Sequence, residues 1–112
     1  MKNKFKYAFM GLMIGLKQPS ILLQLFLGGI TIFIFAIIKI SCFEWLIVVL
    51  TIAMVVLSEW VNSIVEMTVD YISLANTTLA KRIKDLSAGL VLLAAIFAFI
   101  IAIIVLYRNL IG

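Results

Sequence analysis

The chain has no histidine, one cysteine (Cys42), one proline (Pro19), and only nine Lys or Arg and five Asp or Glu in 112 residues. Each scarcity removes a class of chemistry. Without histidine there is no imidazole to ligate zinc or to carry protons near neutral pH. A single thiol can form neither an intrachain disulfide nor a multi-cysteine metal centre. Any bound metal is therefore expected to be a hard cation held by oxygen, which favours Mg²⁺ over Zn²⁺. No Pro/Gly/Ser-rich stretch divides the chain, so residues 1–112 read as one domain. The formal charge of +4 is too small and too dispersed to point to nucleic acid.

Apolar surface is what the chain has in excess. Hydrophobic residues make up 66% of it, with a mean hydropathy of +1.32. A soluble domain of this length could not hide so much, because folded proteins bury only part of their surface. The lipid bilayer must act as part of the solvent. Three runs, about 21–38, 43–66 and 84–107, are long enough for a ~30 Å hydrocarbon core, which takes ~20 helical residues to cross. The expected fold is an all-α membrane protein with three transmembrane helices and an N-terminal interfacial amphipathic helix over 4–17. Phe5, Phe9, Leu12 and Leu16 form the apolar stripe of that first helix.

The punctuation between these runs is sparse. Gln18-Pro19-Ser20 interrupts the first helix, since proline cannot continue its hydrogen-bond ladder, and Ser20 is predicted to cap the first span. Lys39-Ile40-Ser41-Cys42 reads as a tight turn, followed by Trp45 as an interfacial anchor. Leu74 to Arg82 reads as the one polar loop. The small residues Gly28-Gly29, Ala88-Gly89 and Ala94-Ala95 offer surfaces for close helix contact. Seven basic residues (Lys2, Lys4, Lys6, Lys17, Lys81, Arg82, Lys84) fall on one side of the membrane and two (Lys39, Arg108) on the other. By the positive-inside rule the N-terminus and the second loop are cytoplasmic. No small-residue cleavage pattern marks the first fifteen residues as a signal peptide.

One face breaks the apolar pattern. Glu59, Asn62, Glu66 and Asp70 are spaced three, four and four apart at the end of the second span. At ~100° per helical residue they stand within an arc of roughly 80°, in line on one face. Carboxylates this close to lipid are costly, and ionisable groups in such positions are usually functional. Lys84-Asp85 opens the third span at the same membrane face. Carboxylates, an amide and a lysine at an interface suit phosphoryl transfer. Carboxylates can hold Mg²⁺ and take a proton from a hydroxyl nucleophile, while a lysine neutralises phosphate oxygens.

At these residues the sequence resembles the prokaryotic diacylglycerol kinase/undecaprenol kinase family of small membrane kinases. The family's Glu-x-x-Asn-(Ser/Thr/Ala)-x-x-Glu-x-x-x-Asp run stands as Glu59, Asn62, Glu66 and Asp70, and its Lys-Asp pair as Lys84-Asp85. Phe5-Lys6-Tyr7-Ala8-Phe9-Met10-Gly11-Leu12 looks like the N-terminal signature of its undecaprenol-kinase-like branch. The resemblance implies a homotrimer in the bacterial cell membrane, in which ATP with Mg²⁺ meets a membrane lipid alcohol at the cytoplasmic interface. By the same resemblance Glu59 is the general base and Glu66 a metal ligand. Asn62 and Asp70 support the site, Lys84 and Asp85 bind nucleotide, and Tyr7 lies near it. The implied acceptor is undecaprenol first and diacylglycerol second.

One departure stands out. The family's first helix normally supplies a carboxylate that shares the metal, and here that position is Pro19; no acidic residue precedes Glu44. A catalytically weakened or inactive member kept as a membrane scaffold is therefore the alternative. A small multidrug-type transporter is the remote one, since that class needs four spans and a carboxylate in the first.

Overall fold

Alternation of long apolar runs with short polar breaks leaves the backbone one economical solution in lipid, where every N–H and C=O must be satisfied within its own helix. The computed structural model describes residues 2–72 and 77–112. It contains α1 (Lys2–Leu16), α2 (Pro19–Ile38), α3 (Cys42–Ile72) and α4 (Thr78–Leu110), and no strand occurs among the described residues. The last three are long and apolar enough to cross a membrane. Only 6% of the most apolar window of α4 is buried within the chain, so its side chains must be solvated by lipid or by other helices.

The breaks differ in detail from the sequence expectations. Gln18, in an extended conformation, precedes α2 without a side-chain cap, and Pro19 occupies the first helical turn, where its missing N–H is harmless. Ser20 therefore lies inside the helix and does not cap it. Lys39 closes α2 in the left-handed conformation (φ 64°), its N–H bonded to Phe35 O at 3.0 Å. This non-glycine left-handed turn is held by Ile40, which is buried with Phe35, Val48 and Val105. Trp45, half-buried, packs against this cluster. The polar loop is shorter than expected. Thr77 caps α4 by accepting from Ala80 N at 3.0 Å, so Thr78 to Arg82 are helical, while Leu74 to Asn76 lie outside the described residues.

α3 and α4 form the main antiparallel pair, and polar contacts pin them at both ends. At one end Ser41-x-x-Glu44 is a capping box: Glu44 Oε1 accepts from Ser41 N at 3.0 Å, and Ser41 Oγ accepts from Glu44 N at 3.2 Å. The second carboxylate oxygen accepts from Asn109 Nδ2 at 3.0 Å, with Arg108 Nη1 3.8 Å away. Glu44 is buried, and its clasp with Ser41, Asn109 and Arg108 ties the start of α3 to the end of α4. Glu44→Ala is expected to lower the thermal unfolding midpoint of the detergent-solubilised protein. Glu44→Gln should lower it less, because the amide oxygen still accepts one of these bonds. Equal midpoints for wild type and Glu44→Ala would show that the clasp contributes nothing.

α2 leans on α3 through Gly28, where an added Cβ would lie 2.8 Å from Ile52 Cγ2. Among the described residues Gly29 and Gly89 meet nothing within 4 Å, so of the predicted glycine contacts it is Gly28 that is used there. α1 docks through Gly15, which is covered by the Trp60 indole; a Cβ there would overlap Cζ2 at 2.0 Å. This contact sets α1 beside the turn of α3 that begins the polar row.

Candidate functional site

The depth of the polar row follows from helix length. α3 has 31 residues, about 46 Å at 1.5 Å per residue, whereas the hydrocarbon core is about 30 Å thick. α3 is therefore longer than that thickness, and the polar row runs along its last turns, from Glu59 toward the helix end. Burial falls in that direction: Glu59 and Asn62 are buried, Glu66 and Asp70 exposed.

Within the row the side chains have distinct roles. Glu59 is 7% exposed, and among the described residues no hydrogen bond or ion pair engages its carboxylate. Asn62 Nδ2 donates to Glu66 Oε1 at 3.3 Å, one helical turn away, which orients the Glu66 carboxylate. Asp70 Oδ1 pairs with Lys84 Nζ across the α3–α4 seam. Asp85 is engaged on its own helix by Lys81 Nζ at 2.6 Å, an exposed pair of the kind that contributes little to stability. Tyr7 is exposed on α1. Thus α3 and α4 bring Glu59, Asn62, Glu66, Asp70 and Lys84 to one end of the bundle, with Asp85 beside Lys84; among the described residues no hydrogen bond links Tyr7 to them.

Sequence reasoning missed two features of this seam. Lys81 was treated as one of several membrane-flanking cations, although its spacing of four from Asp85 marks a helical ion pair. Ser87, which follows Lys84-Asp85 at the start of the third span, is buried, and among the described residues its Oγ has no hydrogen-bond partner, which no local sequence pattern signals. Asn62 Oδ1 is likewise buried and unpaired. A buried polar atom left without a partner costs about 1–3 kcal/mol, so two of them on one seam call for an explanation.

The donor set is all oxygen, as the composition requires. Among the described residues no three His, Cys, Asp or Glu side chains converge as a metal site. Mg²⁺ does not need such a cage, because it keeps waters and is usually held by one or two carboxylates together with substrate phosphates. Glu66, exposed and oriented by Asn62, fits a cation that arrives with a nucleotide.

The sequence profile of the family described as prokaryotic diacylglycerol kinase matches residues 6–106, nearly the whole chain. The chain belongs to the prokaryotic diacylglycerol kinase family. It is thus an all-α membrane protein of a lipid-kinase family, whose members generally use ATP and Mg²⁺. No curated protein and no solved structure matches it. In this diacylglycerol kinase family member, the matched segment contains every candidate site residue from Tyr7 to Asp85.

Proposed function

We propose that the protein transfers the γ-phosphoryl group of ATP to the hydroxyl of a membrane lipid alcohol. Undecaprenol is the first candidate, on the N-terminal signature around Tyr7, and diacylglycerol the second. The observation that carries this reading is Glu59: a buried, unengaged carboxylate two helical turns from the exposed Glu66, on a seam that also holds Lys84. Glu59 takes the proton from the lipid hydroxyl as its oxygen bonds to the γ-phosphorus. The bond from that phosphorus to the β–γ bridging oxygen breaks, and ADP leaves. Lys84 neutralises the phosphate oxygens, exchanging Asp70 for them when nucleotide is present. Glu66 would hold Mg²⁺, which when bound spreads the negative charge of the phosphates. Asn62 orients Glu66, Asp85 and Tyr7 contact the nucleotide, and Asp70 holds Lys84 in place between turnovers. The site lies at the cytoplasmic face of the bacterial cell membrane, and the polar row is buried further in a homotrimer.

Transfer of label from γ-labelled ATP to lipid, measured with purified protein in mixed micelles with Mg²⁺, tests the reading. Labelled undecaprenyl phosphate is the expected product. Transfer to diacylglycerol alone would reassign the acceptor. With a family kinase active alongside, no transfer to either lipid would favour the scaffold reading, which rests on Pro19 standing where the family resemblance expects a carboxylate.

A further inference from the structure

The chain has five acidic residues, and three of them are engaged elsewhere: Glu44 in the far clasp, Asp70 by Lys84, and Asp85 by Lys81. Among the described residues only Glu59 and Glu66 stand outside an ion pair in the ligand-free chain. Glu59 is assigned to the proton, Asp85 to the nucleotide and Asp70 to holding Lys84 between turnovers. A divalent cation at this seam therefore has Glu66 as its one charged protein donor and must draw on neutral oxygens. Among the described residues two such buried atoms lack partners, Asn62 Oδ1 and Ser87 Oγ.

Ser87 is the informative one. Four other helical hydroxyls of this chain return to a backbone carbonyl of the preceding turn: Thr31 to Leu27 at 2.9 Å, Thr51 to Ile47 at 2.7 Å, Ser58 to Val55 at 2.7 Å and Thr68 to Ile64 at 2.6 Å. Ser20, Ser63 and Thr78 show no such bond among the described residues. Ser87 makes no such bond although it is buried. Its position is set by the pinned register of two antiparallel helices. One turn inward from the Asp70–Lys84 pair, α3 carries Glu66 and α4 carries Ser87, so the two are level across the seam.

We propose that Ser87 Oγ, together with Glu66 and Asn62 Oδ1, forms the oxygen set that receives the divalent cation accompanying ATP. The inference rests on the kinase reading and deepens it. A serine hydroxyl beside a carboxylate is a chemically sound pair for Mg²⁺, as in nucleotide-binding loops where Ser or Thr shares the ion with Asp. In this chain, which has no acidic residue before Glu44, the hydroxyl does part of the work of a second carboxylate.

Mn²⁺ binding, followed by electron paramagnetic resonance in the presence of β,γ-methylene-ATP, provides a readout independent of turnover. Ser87→Ala is expected to weaken Mn²⁺ binding about tenfold, in the range typical for losing a group that supports a metal, while Ser87→Thr stays close to wild type. Helical content and thermal midpoint should hold or rise in Ser87→Ala, since an unpaired hydroxyl has been removed. Unchanged Mn²⁺ affinity in Ser87→Ala, with wild type both binding Mn²⁺ and transferring phosphoryl groups, overturns the role of Ser87 alone. Wild type that neither binds Mn²⁺ with the nucleotide nor transfers overturns the kinase reading as well.

Discussion

Glu59→Gln is expected to reduce phosphoryl transfer by about 10²- to 10⁴-fold, the usual contribution of a positioned general base. The substitution keeps the shape and hydrogen-bonding capacity of the side chain but removes its ability to take a proton. Because Glu59 is buried and unengaged among the described residues, no ion pair is broken, and folding should be unaffected. The loss should therefore appear in kcat with the KM for ATP nearly unchanged. A fall in KM-dependent terms alone, or retention of activity, would remove Glu59 as the base. Glu66→Gln gives the contrasting pattern: it should raise the Mg²⁺ concentration needed for half-maximal rate, because the site loses its charged oxygen donor.

Lys84→Ala should have the second largest effect, about 10²- to 10³-fold in kcat, comparable to removing one preorganised donor from a developing negative charge. In the ligand-free chain Lys84 is paired with Asp70, so two explanations for a loss must be separated. Asp70→Asn breaks the same pair while leaving the ammonium in place. If Lys84 acts on phosphate, Asp70→Asn should be far milder than Lys84→Ala, and Lys84→Arg should recover part of the rate. Equal losses in Lys84→Ala and Asp70→Asn would mean that the pair serves only to hold α3 against α4. Circular dichroism of each variant separates that outcome from misfolding.

The candidate site was legible in the sequence to an unusual degree because it lies on a helix. Glu59, Asn62, Glu66 and Asp70 share a face by periodicity alone, and any helix through them must line them up. They stood out because lipid makes polarity costly, so four polar side chains on an apolar helix could not pass as ordinary surface. Contacts between helices were less accessible. Asp70 pairing with Lys84 requires the register of α3 against α4, which the intervening residues do not encode in any local pattern. Ser41-x-x-Glu44 carried a visible capping signal, but its link to Asn109, 65 positions later, did not. The loop reading erred for a related reason: Thr78, Lys81 and Arg82 are polar, yet Thr77 caps a helix that already contains them.

The sequence by itself determined the membrane class, the helical spans and the row of side chains at the end of α3, since hydropathy and helical period act locally. Tertiary structure alone decided which of those side chains remain available. Among the described residues it ties Asp70 to Lys84, closes Glu44 into the far clasp, leaves Glu59 unengaged, and buries Ser87 without a partner level with Glu66. The physical reason is that availability depends on distances across the α3–α4 seam. That seam is set by the packing of two helices over their full length, which a linear pattern of residues does not contain.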